Sequence, residues 1–162
     1  MARNKGRKDG KRKRKVVLAS GTFDLLHLGH VKYLEQAKQT GGKNAKLVVI
    51  VARDSTVENR KGRRTVMPED QRRALVESLK VVDEAILGYE NFDMGNVIEA
   101  IKPDIIAVGH DQTDIEAQAR KAVEEKGSDI KVIRIGRFGK PELNSSLKIK
   151  RKIMELYKGK YE

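Results

Sequence analysis

The sequence predicts an α/β fold: one domain on an open, parallel, five-stranded sheet with helices on both faces. Three observations predict it. Short β-branched runs alternate with helical patterns, which implies a parallel sheet covered on both sides. The run Lys46 to Ala52 is continuously apolar, as in a strand buried on both faces. Three polar segments, residues 20–30, 109–112 and 136–146, each follow an expected strand, where open α/β sheets take their ligands.

Residues 1–15 carry nine Lys/Arg and one acid, so +8 of the total charge of +12 sits there, leaving +4 for the rest. With almost no apolar residue, this segment reads as a disordered basic tail preceding a domain over 16–162. It lacks the apolar centre of a signal peptide. A nucleic-acid-associated protein acting through the tail is the alternative from another class, but no aromatic residue there offers a base something to stack on. Cysteine is absent, which excludes disulfides and thiolate metal sites, and no apolar run approaches the ~18–20 residues of a membrane span. A cytoplasmic protein without membrane contact is expected.

In chain order, Lys15 to Ala19 is the first strand, and the Gly-Thr-Phe-Asp segment leads into a helix to about Gln39, closed by Thr40-Gly41-Gly42. Lys46 to Ala52 is the second strand. Arg53 to Arg64, polar and glycine-bearing, reads mostly as a mobile loop. Pro68-Glu69-Asp70 starts a helix to about Lys80, with proline first and acids in the first turn. Val82 to Leu87 is a strand, Asn96 to Ile101 a short helix and Asp104 to Val108 a strand ending in Gly109-His110-Asp111-Gln112. Ile115 to Glu125 is a helix and Lys131 to Ile135 the fifth strand. After a loop over Arg137 to Asn144, Ser145 or Asn144 caps a last helix whose stripe of Ile149, Ile153 and Leu156 is expected in the core. The arrangement is Rossmann-like.

The stretch Ser20 to His30 is an anion-binding helix start in outline: glycine lets the backbone approach a ligand, and the helix N-terminus offers free N–H groups. His27 and His30, three apart, share one side of the first turn. Read alone, the pair could equally be a metal pair or surface residues, although no third ligand is evident. Lys61, Arg63 and Arg64 could be a solvated charge run, Ser145 and Ser146 a plain helix cap, and Phe138 a loop anchor. Lys148, Lys150, Arg151 and Lys152 read as a solvated helix face.

Taken together, Gly21-Thr22-Phe23-Asp24-Leu25-Leu26-His27-Leu28-Gly29-His30, Lys61-Gly62-Arg63, Pro68 to Arg73, Val82-Asp83-Glu84, Val108 to Asp111 and Asn144-Ser145-Ser146 resemble, in order, the nucleotidyltransferase superfamily with the HxGH motif. The resemblance covers roughly residues 15–157. Within the superfamily the chain is most similar to the archaeal FAD synthases, with glycerol-3-phosphate cytidylyltransferases as close relatives. The phrases IVARDSTV, KGRRTVMPEDQRR and VGHDQT favour the first group.

The resemblance implies transfer of AMP from ATP to FMN with release of pyrophosphate. A CTP-dependent, cytidylyltransferase-type reaction is the alternative. The acceptor phosphate is already mostly a dianion at neutral pH, so the site needs positive charge and N–H groups rather than a strong base. His27, His30 and Lys61 are the implied catalytic residues. Thr22, Phe23, Leu28, Gly29, Arg63, Asp111, Ser145 and Ser146 would bind nucleotide, with the histidines contacting the α-phosphate and Asp111 the ribose. Lys61 and Arg72 would bind the acceptor phosphate. A divalent cation such as Mg²⁺ would enter with the triphosphate, without a protein metal site. ATP and FMN are the implied partners, and a homodimer the implied assembly. Asn-Ser-Ser-Leu stands where the cytidylyltransferases commonly show Ile-Ser-Thr-Thr, so one threonine hydroxyl is missing.

Overall fold

A computed structural model describes residues 13–91, 93–138 and 144–159. Five parallel strands form one sheet in the order β3-β2-β1-β4-β5: β1 Val16–Gly21, β2 Lys46–Val51, β3 Glu84–Leu87, β4 Ile105–Gly109 and β5 Lys131–Ile135. The chain builds outward from β1 to β3, then crosses back to lay β4 on the other side of β1. The strand order reverses at β1, so the crevice beyond its carboxyl end is the expected ligand position.

The helices are α1 Leu28–Thr40, α2 Asp54–Lys61, α3 Glu69–Glu77, α4 Met94–Ile101, α5 Thr113–Glu125 and α6 Ser146–Tyr157. Two cores result, one on each face. On the α1 and α3 face, Val17, Leu34, Leu47, Val49 and Val76 are buried together; on the α4 and α5 face, Leu18, Ile50, Val97, Ile106 and Ala119. Alternation along β1 sends Val17 and Ala19 to one core and Leu18 to the other, as strand geometry requires.

Three expectations need correction. Residues 53–64 are not mainly a loop, because Asp54–Lys61 is helical. Its composition hid it: only Val57 is buried, so no apolar period marks it. Its end signals were nonetheless present. Asp54 opens the first turn, Arg60 and Lys61 close the last, and Gly62 (φ 60°) caps in the left-handed region where glycine is favoured, its N–H donating to Glu58 at 2.9 Å. Second, the last helix contributes no buried residue. Ile153 and Leu156 of the stripe expected in the core are exposed, as is Met154, and only Ile149 is half-buried. Periodicity shows that a helix has an apolar side, not what covers it.

Third, the basic tail is not wholly free. Arg14 donates to the carbonyls of Asn44 (2.8 Å) and Ala45 (3.3 Å) and pairs with Asp83 at 2.5 Å, which fastens the segment just before β1. Residues 1–12, and most of the loop expected over 137–144, lie outside the described residues.

Arg72 on α3 is completely buried. Its guanidinium donates to the carbonyls of Met67 (3.0 Å), Thr22 (2.5 Å) and Ala52 (2.8 Å) and to the Asp54 carboxylate (2.6 Å). Arg72→Ala would orphan three backbone acceptors and a carboxylate, and is expected to lower unfolding free energy by about 3–5 kcal/mol, read from urea denaturation. Arg72→Lys should recover only part of that loss, because an ammonium cannot match the planar fork.

Candidate active site

The carboxyl ends of the strands open into a cavity of about 470 Å³, within the usual range for a small-molecule site. The stretch after β1 forms its floor. Phe23 and Leu25 adopt positive φ (52° and 50°), which costs a non-glycine residue on the order of 1–3 kcal/mol each. That reversal turns the chain so that α1 starts at Leu28 with His27 as its N-cap residue.

The two imidazoles stack, with ring centroids 3.8 Å apart and planes inclined by 22°. The buried Phe23 ring meets His30 edge-on at 5.3 Å. A Cβ on Gly29 would lie 2.9 Å from His27 Nδ1 and 3.1 Å from the Asn144 carbonyl, so only glycine lets the imidazole and the start of α6 close over the turn. Both histidine Nδ1 atoms are buried without a hydrogen-bond partner among the described residues. Burial lowers the pKa of His27. Burial, with the His27 charge next, pushes His30 down to about 3. Both rings are therefore neutral at pH 7, each able to offer one N–H and one lone pair.

Cations surround this pair. Lys61, the last residue of α2, donates to the Thr22 hydroxyl at 2.9 Å. Burial, then the neighbouring Arg63, lowers its pKa. Arg53, Arg60, Arg63, Arg64, Arg137 and Lys150 also line the cavity, against Asp24, Asp111 and Asp114 among the acids.

Asp24, nearly buried, joins three segments. One carboxylate oxygen accepts the N–H groups of Val66 (3.0 Å) and Met67 (3.2 Å), and the other accepts from Lys150 Nζ (2.7 Å). The Asp24 carbonyl accepts the Ser146 hydroxyl. Burial alone would raise the Asp24 pKa; the Lys150 and backbone hydrogen bonds outweigh it and hold the carboxyl below its ordinary value.

Of the residues expected at the site, Thr22, Phe23, His27, Gly29, His30, Lys61, Arg63, Asp111, Ser145 and Ser146 all line this one cavity. Two do not. Leu28 is 64% exposed and points away, and Arg72 is buried behind the floor with its guanidinium committed to protein acceptors. Ser145 is the N-cap residue of α6 without a side-chain capping bond, so its hydroxyl is not spent on the helix. Lys150, read as part of a solvated face, instead reaches inward to Asp24. Its place four residues after Ser146, one turn further along the same side of α6, was the available signal. Arg60 and Tyr89 gave no signal, being single residues in polar stretches.

A stacked neutral histidine pair at a helix start, ringed by cations at the switch point of a parallel sheet, defines a site for transfer chemistry on phosphate esters. The chain belongs to the cytidylyltransferase-like family, whose model matches residues 18–152, and is a nucleotidyltransferase. It is 50% identical over 147 residues to the FAD synthase of Methanobrevibacter smithii, covering 90% of this chain and 95% of that one. With the FAD synthase of Methanothermus fervidus it shares 51% over 139 residues, 86% and 94% of the two chains. Among solved structures, one titled as the lipopolysaccharide core biosynthesis protein of Thermoplasma volcanium superimposes with a TM-score of 0.69 at 44% identity, covering 77% of this chain and 98% of that one. A pantothenate synthetase from Thermus thermophilus shares the fold at TM-score 0.53 and 15% identity over 80% and 58% of the chains.

The histidine pKa values set a pH dependence. In the folded state His30 titrates near 3 and in the unfolded chain near its ordinary 6.5, so between those values the unfolded state binds more protons. Stability is then full above pH 6.5 and falls as pH drops through that window. The depressed carboxylates Asp24, Asp54 and Asp83 lose their contribution only below their ordinary value of 3.8. Urea midpoints measured from pH 7.5 to 4.5 are expected to decline, and His30→Gln, which cannot titrate, to decline less.

Proposed function

We propose that this chain is an FAD synthase, transferring AMP from ATP to FMN. The observation that carries the reading is that relatives about 50% identical over nearly the whole chain are FAD synthases, and that the residues their reaction calls for line one cavity here. An FMN phosphate oxygen attacks the α-phosphorus of ATP, a P–O bond forms, the bond from that phosphorus to the bridging oxygen breaks, and pyrophosphate leaves with the electron pair.

The protein's part is positioning and charge. Lys61 and Arg63 bring the acceptor phosphate to the donor against their mutual repulsion. The His27 and His30 N–H groups donate to the α-phosphate oxygens as charge moves onto them. Ser145 and Ser146, with the free N–H groups of α6, take the β- and γ-phosphates. Asp111 accepts from the ribose hydroxyls. Asp24 is already engaged by the backbone of residues 66 and 67 and by Lys150, and a divalent cation would enter with the triphosphate. Such a cation supplies charge neutralisation between phosphates.

The reading is of a cytoplasmic enzyme with ATP and FMN as its partners; no helix of the described residues is long and apolar enough to cross a membrane. A homodimer is the assembly this family reading carries with it.

Incubation with ATP, FMN and Mg²⁺ should yield FAD and pyrophosphate, resolved by chromatography. Product from CTP and glycerol 3-phosphate, with no FAD, would replace this reading by the cytidylyltransferase one. His30→Ala should lower kcat by about 10²–10³-fold with a smaller change in either KM, because its hydrogen bond strengthens only as the transferring group gains charge. Removing residues 1–12 should leave FAD formation intact; a steeply salt-dependent RNA affinity lost with that deletion would give the tail a separate role.

A further inference from the structure

The phosphate machinery occupies the middle of the cavity and leaves its two ends. The histidine pair follows β1, the central strand, while the cavity reaches β3 at one edge of the sheet and β5 at the other. Four inter-strand steps of ~4.8 Å put those edges on the order of 19 Å apart. Each end carries an exposed aromatic side chain: Tyr89 just beyond β3, 43% exposed, and Phe138 just beyond β5, 39% exposed. The Lys32 ammonium lies over the Phe138 ring, 5.6 Å from its centroid.

The stem of Tyr89 is pinned while its ring stays open. The preceding Gly88 donates to the Val51 carbonyl at 2.9 Å, and its own carbonyl accepts Arg53 Nε at 2.7 Å. Arg53 is fixed in turn by Glu69 at 2.8 Å. Ile50, which lines the same cavity, lies against Gly88, where an added Cβ would sit 3.4 Å from its Cγ2, so the Tyr89 end of the cavity has an aliphatic side chain of the kind a flat heterocycle packs against.

The helix α2 ties this end to the chemistry. Arg53, its N-cap residue, holds Gly88, and Lys61, its last residue, holds Thr22 in the catalytic floor. Eight residues at ~1.5 Å each make α2 about 12 Å long, on the order of the reach of a planar ring system joined to its phosphate by a five-carbon chain.

We propose that Tyr89 is the stacking platform for the planar ring of the acceptor, the flavin, whose phosphate then lies along α2 toward Lys61 and the histidine pair. The proposal rests on the FAD synthase reading and deepens it. The donor base takes the opposite end, beyond β4 and β5, where Asp111 stands.

The test is flavin fluorescence titration together with steady-state kinetics in both substrates, on the wild-type protein, Tyr89→Phe and Tyr89→Ala. A tyrosine stacked on a flavin quenches its emission by electron donation, so wild type should quench bound FMN. Tyr89→Phe should keep the stacking and lose most of the quenching. Tyr89→Ala should raise the KM for FMN about ten-fold or more while the KM for ATP, the internal reference, moves far less. A Tyr89→Ala enzyme making FAD at the wild-type KM for FMN would overturn the proposal, as would a rise confined to the KM for ATP. Wild-type protein that neither binds FMN nor makes FAD would overturn the functional reading itself, a result distinct from the other two.

Discussion

The site depends first on a buried guanidinium. At the carboxyl end of a parallel sheet the chain must leave each strand and turn, and its carbonyls lose their ladder partners. Arg72 answers several of these at once. It bonds the carbonyls of Thr22 after β1, Ala52 after β2 and Met67 before α3, and it pairs with Asp54 at the start of α2. A charge taken out of water is costly unless it is paired and hydrogen-bonded, and here four hydrogen bonds reach acceptors at residues 22, 52, 54 and 67. The floor of the cavity is thereby one piece, and the positive-φ turn at Phe23 and Leu25 is held in place.

On that floor Asp24 does for the cavity walls what Arg72 does beneath. Its carboxylate takes the backbone of residues 66 and 67 and the Lys150 ammonium, and its carbonyl takes Ser146. The segment that follows α2 and the start of α6 are therefore indexed to the loop that presents the histidines. Transfer between two phosphates is sensitive to ångström-scale placement, since the reacting atoms must lie in line. A single buried acid, held ionised by its partners, sets the separation of the histidine loop, the segment after α2 and the start of α6.

The electrostatics divide the labour. The stacked imidazoles are neutral because burial disfavours their charge, while the permanent positive charge stands on Arg60, Arg63 and Arg137 along the same cavity, with Lys61 beside them. Incoming anions meet a field from the rim and hydrogen-bond donors at the centre. On the proposed reaction, hydrogen bonds from the neutral pair would strengthen as the phosphoryl oxygens gain charge, and the rim would act on ground and transition states alike.

Much of this was legible in the sequence because it is local. The continuous apolar run at Lys46 to Ala52, the alternation of strands with helices, and glycine and histidine spacing in residues 21–30 are short-range patterns that physics ties to strand burial and to a helix start. They determined the sheet, the class of fold and the place of the histidine-bearing helix start. What the tertiary structure decided concerns partners distant along the chain. Nothing near Arg72 marks it as buried, since its four acceptors come from residues 22, 52, 54 and 67. Lys150 stands among other basic residues of α6 in the sequence, and only folding brings Asp24 to it across 126 positions. The outward stripe of α6 and the polar helix α2 were misread for one reason: periodicity reports the character of a face, and the neighbour that does or does not cover it is set by topology.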